Sequence, residues 1–284
     1  MGITDAWAVI VNPKAGNGRG LKDWPVISNQ MYNSGLRFTC LFTEHKYHAV
    51  ELAVKAINDG YRNIAAVGGD GTIHEVVNGI FIQKTVPTTE ISLAVIPAGT
   101  ESGWIRMYGI SRTYSEAVKS LVQKRTVLQD VAKVSYFQTS VQHTRYMANV
   151  AGMGYDAALN LQYNRLKDEG KYARWRYVRN AFKTFLRYSP VRLSFLVDGK
   201  EFYSGKVFSA MVGIGKNDSR MDLSIQKKAF RSSSSIRTRC RSIEVVSWPQ
   251  SRIEIDGETV GKSPFKFEIV PHAIKVVVGA NYLV

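Results

Sequence analysis

The stretch Val67-Gly-Gly-Asp-Gly-Thr-Ile-His-Glu-Val-Val-Asn-Gly79 constrains this chain more than any other. It follows Asn63–Val67, a short apolar run of the kind that forms a buried strand. After it, Val76, Val77, Ile80 and Phe81 fall on one face of a helix. The glycines therefore sit at a strand-to-helix turn, where they free the backbone for positive φ and let a large anion approach the main chain. A helix start adds N–H donors and a positive dipole end, which suit phosphate. Asp70 is the unusual residue in such a place. A carboxylate repels a bare phosphate, so its presence makes sense with a metal ion or a protonated donor between the two. The outline is that of a nucleotide-triphosphate site. The plainer alternative is an ordinary βα turn with a helix-capping Asp.

The preceding and following residues repeat the theme. Ala6–Val11 is an apolar strand, and Asn12-Pro-Lys-Ala-Gly-Asn-Gly-Arg-Gly20 after it is a second phosphate-facing turn. No Gly-Lys-Ser/Thr closes that turn, so it is not a P-loop. Residues 21–35 read as a helix, and Arg37–Phe42 as a strand ending at Thr43-Glu44. His48–Asp59 carries Val50, Ala53, Val54 and Ile57 at helical spacing. A further strand, Ile91–Ile96, ends in the polar turn Pro97–Gly103. Strands alternating with helices predict an α/β nucleotide-binding domain over residues 1–127, with a mainly parallel sheet. Ligands of such sheets bind beyond the carboxyl ends of the strands. Asn12–Gly20, Thr43, Gly68–Thr72 and Gly99–Gly103 all fall there.

The pattern changes after Leu128. Val131–Phe137, Arg145–Val150, Val191–Val197, Phe202–Ile214, Ser242–Ser247, Ser251–Ile255, Phe265–Ile269 and Ala273–Val278 are rich in Val, Ile, Phe and Tyr and often alternate. Asp198-Gly199 and Asp256-Gly257 supply tight turns between them. Residues 128–284 thus read as an antiparallel, β-sandwich-like domain whose last residues are free to return to the first domain. A helical insertion interrupts it from about 160 to 188. There Arg165, Lys167, Lys171, Arg174, Arg176, Arg179, Lys183 and Arg187 interleave with Tyr172, Trp175, Val178, Phe182 and Phe185. Such a helix can lie on an anionic membrane surface, or simply pack on the β domain with a solvated basic face.

The net charge of +15 implies a negatively charged partner: nucleic acid, an anionic membrane or a polyphosphate. No nucleic-acid-binding signature appears, so nucleic acid is not the expected partner. Cys40 and Cys240 form no motif and read as thiols in a reducing compartment. The chain has no run apolar enough to span a bilayer and no signal-peptide pattern, which predicts a cytoplasmic protein associated peripherally with the membrane. An exposed strand edge in the β domain could pair two copies as a homodimer.

Taken together, Asn12-Pro-x-x-Gly16, Gly68-Gly-Asp-Gly-Thr-x-x-Glu75-x-x-Asn78-Gly79 and Ile96-Pro-Ala-Gly-Thr100 resemble the catalytic domain of the diacylglycerol kinase family, which includes sphingosine, ceramide and bacterial lipid kinases. Asn149–Asp156 and Ile253–Glu258 extend the resemblance across nearly the whole chain. The resemblance implies a fold like that of NAD kinase and phosphofructokinase, and transfer of the ATP γ-phosphate to a lipid hydroxyl with Mg²⁺. It implies that Asn12, Gly16, Thr43, Gly68, Gly69, Asp70, Gly71, Thr72, Glu75, Gly99 and Thr100 line the nucleotide cleft. Asp70 would hold the Mg²⁺–phosphate arrangement, and Asp256 would be the base, with Glu258 beside it. Asp218 and Asp222 would be remnants of a further Mg²⁺ site, since paired carboxylates suit that ion.

One departure from the family pattern stands out: Glu101-Ser102-Gly103 replaces its usual Gly-Asn-Asp. It keeps open a non-catalytic nucleotide- or lipid-binding regulator. An NAD kinase-like enzyme with a soluble substrate is a further alternative, because that group also uses a Gly-Gly-Asp-Gly turn.

Overall fold

The structure, a computed structural model, describes residues 3–98, 103–159, 161, 184, 188–215, 218–228 and 235–282. Gly99, Thr100, Glu101 and Ser102 lie outside these residues, as do the basic and aromatic side chains named above in the 160–188 insertion. The chain divides into two compact units. The first is Met1–Gln129 with His272–Val284, and the second is Asp130–Pro271.

Unit 1 alternates strands and helices: β1 (Trp7–Val11), α1 (Ala15–Lys22), α2 (Trp24–Asn33), β2 (Phe38–Phe42), α3 (His48–Asn58), β3 (Asn63–Gly68), α4 (Asp70–Ile82), β4 (Ser92–Pro97), α5 (Gly103–Met107) and α6 (Tyr114–Gln123). The strands pair in parallel in the order β2-β1-β3-β4, and Lys275 and Val276 pair in parallel with β4 on its other side. Every residue of β1, β3 and β4 is buried. A strand covered on both faces can be apolar throughout, which is why Trp-Ala-Val-Ile-Val and Ser-Leu-Ala-Val-Ile-Pro lack the alternation of a half-exposed strand. One face packs on Ile27 and Met31 of α2 and on Ala117, Val118 and Leu121 of α6. Helices α3 and α4 lie close together, and Gly79 makes that approach possible. A Cβ there would fall 2.7 Å from the Val50 carbonyl oxygen and 2.7 Å from the Ala53 Cβ.

Unit 2 is a two-sheet antiparallel sandwich. Its strands are β5 (Thr126–Gln138, entering from unit 1), β6 (Val141–Met147), β7 (Val150–Gly154), β8 (Val191–Val197), β9 (Lys200–Val207), β10 (Ser209–Ile214), β11 (Met221–Gln226), β12 (Ser235–Cys240), β13 (Ser242–Trp248), β14 (Ile253–Ile255), β15 (Glu258–Val260) and β16 (Lys262–Val277). One sheet runs β16-β13-β8-β9 and the other β12-β11-β10-β7-β14-β15. Their inner faces share one core, in which Phe195, Val245, Phe265 and Phe267 meet Met153, Val212, Leu223 and Ile255. Both Asp-Gly turns are two-residue hairpin loops with positive φ at each position, 49° and 77° at Asp198-Gly199 and 47° and 93° at Asp256-Gly257.

Several details differ from the sequence reading, among them the expected strand Arg145–Val150, which covers the end of β6 and the first residue of β7 in different sheets. The expected strand Phe202–Ile214 is two strands in different sheets, broken at Phe208. The expected pair Phe265–Ile269 and Ala273–Val278 is one long strand, β16. Strands β11 and β12 were not expected. Each carries polar or charged residues at its outward positions, which dilute the apolar signal in a short segment.

Candidate functional site

The carboxyl ends of the unit 1 strands are tied into one edge by backbone bonds. Thr43 N–H donates to the Val11 oxygen at 2.9 Å, Asn12 N–H to Val67 at 3.0 Å, and Ala98 N–H to Gly68 at 3.2 Å. Side chains then link the turns. Asn12 Nδ2 donates to Thr72 Oγ1 at 3.0 Å, while its Oδ1 accepts from Lys14 N–H at 3.0 Å. The Asn-Pro turn and the Gly-Gly-Asp-Gly-Thr turn, 60 residues apart, are thereby one construction.

The glycines of this edge have separate reasons to be there. At Gly68 a Cβ would lie 2.4 Å from Thr72 Oγ1, and at Gly20 only 1.9 Å from the Asn12 oxygen, so both are required by close packing. Gly69 is different: nothing lies within 4 Å of where its Cβ would be, so the backbone there borders open space. Gly16, Asn17 and Gly18 form a consecutive run at φ 59°, 60° and 90°, and Gly18 also borders open space. Asp70, half-buried, is the first residue of α4, and the buried Thr72 follows it in the first turn. Open main chain, a helix start and a carboxylate within one turn fit a phosphate chain carrying a hard, oxygen-liganded cation.

Glu75 supports this edge from behind. Its two oxygens accept from Tyr47 N–H at 3.0 Å and Ala49 N–H at 3.1 Å, which satisfies the start of α3 and holds the turn that begins at Thr43. Tyr47 is left-handed at φ 67°, a conformation that needs such an anchor.

In unit 2 the Asp-Gly-Glu turn is firmly held. Asp256 is 5% exposed. Its Oδ2 accepts from Ala148 N–H at 2.8 Å, and its Oδ1 from Asn149 at 3.0 Å and Val150 at 2.8 Å. Three of the roughly four acceptor positions of a carboxylate are thus taken by backbone. Asp256 therefore organises the entry to β7. Glu258 is half-buried at the start of β15, and Glu254 accepts the Gly257 N–H across the same turn. Asp156 is half-buried and accepts from Ser209 Oγ; its partial burial pushes its carboxyl above the ordinary value, and the serine bond opposes that.

Asp218 and Asp222 do come together, but around a cation of the chain itself. Arg239 on β12 pairs with Asp218 and, through Nε, with Asp222 at 3.2 Å. Asp130, fully buried, accepts Ser219 N–H at 2.8 Å and pins the same turn. The expected Mg²⁺ remnant does not fit this arrangement, because the guanidinium already supplies the positive charge. The sequence reading missed Arg239 and Asp130; an acid inside the apolar β5 was the available signal.

Among the described residues, His45, His48 and Glu51 also place ligand atoms within 4.8 Å of one another. Yet His48 Nδ1 accepts from Glu44 N–H at 3.0 Å, so a neutral ring carries its proton on Nε2 and has no lone pair left for a metal.

Residues 6–134 match the family described as the diacylglycerol kinase catalytic domain. That match covers a little under half of the chain. The chain is 32% identical to the protein YtlR of Bacillus subtilis (strain 168) over 158 residues, 54% of this chain and 49% of YtlR, so that match spans about half of each. It is 25% identical over 300 residues to the diacylglycerol kinase of Staphylococcus haemolyticus (strain JCSC1435), covering 94% of this chain and 86% of that one. A crystal structure of a diacylglycerol kinase from Bacillus anthracis str. Sterne shares the fold at a TM-score of 0.74, with 20% identity over 98% of this chain and 99% of that one. The matched residues contain the Asn12–Thr72 construction described above.

Proposed function

We propose that this chain transfers the γ-phosphate of Mg-ATP to the hydroxyl of a membrane lipid, with diacylglycerol the leading acceptor. The observation that carries the reading is the Asn12–Thr72 hydrogen bond, which joins two phosphate-facing turns beside the open backbone of Gly69. In this reading residues 1–127 are the nucleotide-binding domain and 128–284 the lipid-substrate domain. Asn12, Gly16, Thr43, Gly68, Gly69, Gly71 and Thr72 receive the nucleotide, together with Gly99 and Thr100 of the family motif. Bound Mg²⁺ supplies charge neutralisation on the transferring phosphoryl group, and Asp70 is the carboxylate that would hold it. Glu75 keeps the Thr43 turn in place through its two bonds to α3.

Phosphoryl transfer asks little covalent chemistry of the protein beyond positioning and charge. The remaining task is to take the acceptor's proton. It falls to an acid of the Asp-Gly-Glu turn, Asp256 or Glu258 beside it. The acceptor resides in a bilayer, so the enzyme works at an anionic membrane surface. No helix among the described residues is long and apolar enough to cross one.

The test is transfer of labelled γ-phosphate from Mg-ATP to a panel of lipid alcohols in mixed micelles. Label on one lipid, reduced at least ~100-fold by Asp70→Asn, is the expected result. Label on NAD and on no lipid would return the chain to the soluble-substrate reading, and ATP binding without any transfer would make it a regulator.

A further inference from the structure

The outward face of the β13-β8-β9 sheet in unit 2 carries an unusual conjunction. Along β13, Ile243, Val245 and Ser247 turn into the core, whereas Glu244, Val246 and Trp248 face out. Trp248 is 76% exposed, the highest value among the exposed large hydrophobic side chains described, and Val246 beside it is 50% exposed. The register sets Trp248 opposite Arg192 on β8, and Arg192 opposite Lys206 on β9. One row across three strands therefore reads indole, guanidinium, ammonium. Both cations are exposed, and neither has a carboxylate partner among the described residues.

The acids of this face lie at its other end. Glu244 is opposite Leu196, which pairs with Glu201 on β9, and Lys266 sits opposite Glu244 and pairs with Glu268 at 3.0 Å. Four residues of strand separate Glu244 from Trp248, about 13 Å. The face is thus polarised, with a cationic, aromatic end and a charge-balanced end. Scattered apolar side chains on a surface are ordinary. An exposed Trp in register with two cations that lack acidic partners is a more specific arrangement. It matches a bilayer surface, where indoles settle at headgroup level and basic side chains meet anionic lipid phosphates.

We propose that the Trp248–Arg192–Lys206 end of this sheet docks on an anionic lipid bilayer. The choice of occupant rests on the lipid-kinase reading, which requires contact with a bilayer-resident substrate. The surface stands on described strands.

The test uses the full chain and co-sedimentation with vesicles of phosphatidylglycerol and phosphatidylcholine, against vesicles of phosphatidylcholine alone. Wild type prefers the anionic vesicles. Arg192→Gln with Lys206→Gln lowers that affinity about 25-fold, roughly five-fold per charge, and flattens its salt dependence. Trp248→Ala lowers affinity several-fold at every salt concentration. Phosphoryl transfer to a short-chain, water-dispersed diacylglycerol is measured in parallel and stays at the wild-type rate in these surface variants. Wild-type vesicle affinity in both variants would overturn the docking proposal, as would failure of the wild type to prefer anionic vesicles. Failure of the kinase reading would appear separately, as absent transfer in the short-chain assay.

Discussion

Unit 1 presents Asp70 half-buried at the first residue of α4, next to main chain that borders open space at Gly69. Unit 2 presents Asp256 almost fully buried, with three backbone N–H groups on its two oxygens, and Asp218 with Asp222 gathered around Arg239. All four are acids in glycine-bearing or turn segments, and the family resemblance offers every one of them to chemistry. The difference lies in the surroundings of each. Asp70 stands at a helix start beside open main chain, a setting that suits a phosphate and its cation. A carboxylate bound by three backbone N–H groups, or neutralised by an arginine, stabilises structure first.

That contrast can be attacked from the unit 2 side. The largest effect expected there is for Asp256→Ala, which strands three donors at the entry to β7. It should cost about 3 kcal/mol or more of unfolding free energy in a denaturant titration. Asp256→Asn keeps one acceptor and should cost less. If Asp256 is also the base, that variant lowers kcat beyond what its stability explains, whereas an effect confined to Glu258→Gln moves the proton to Glu258.

A smaller effect is expected for Arg239→Met. The pair is largely exposed, so the loss is about 1 kcal/mol at low salt. The sharper readout is the metal. Wild-type Tm should show no Mg²⁺ dependence arising at this turn, and the variant's Tm should rise with Mg²⁺ as the two freed carboxylates gain a cation.

The smallest effect concerns Asp156, whose carboxyl is raised by burial from its ordinary value of 3.8. A raised carboxyl means that the folded state binds more protons than the unfolded one. Stability therefore falls as pH rises from the ordinary value through the raised one. Asp156→Asn should remove that fall, leaving the protein at neutral pH at least as stable as wild type in thermal melts.

The fold was legible where burial leaves a simple mark. Strands β1, β3 and β4 are apolar because both faces are covered, and the two Asp-Gly hairpins declare themselves through positive φ. The glycine-bearing edge of unit 1 was legible because its glycines answer to local constraints, such as the close approach of Gly68 to Thr72. Partner choice over long separations left no such mark. Glu75 reaches backbone 28 and 26 residues away, and Asp256 reaches backbone 106 to 108 residues away. Nothing local to either acid announces those contacts. Arg239 is likewise one of several basic residues on a polar edge strand until the fold sets it between two acids. The break at Phe208 is equally silent, since Phe continues an apolar run whether the strand stays in its sheet or crosses to the other.

The central claim is that the Asn12–Thr72 edge, with Asp70, receives a magnesium–nucleotide complex. Its most direct test is calorimetric titration of ATP into wild type and Asp70→Asn, each with and without Mg²⁺. Wild type should bind ATP more tightly when Mg²⁺ is present, and Asp70→Asn should lose that advantage while keeping its Tm. An Asp70→Asn protein whose ATP affinity still rises with Mg²⁺ as steeply as wild type would contradict the assignment.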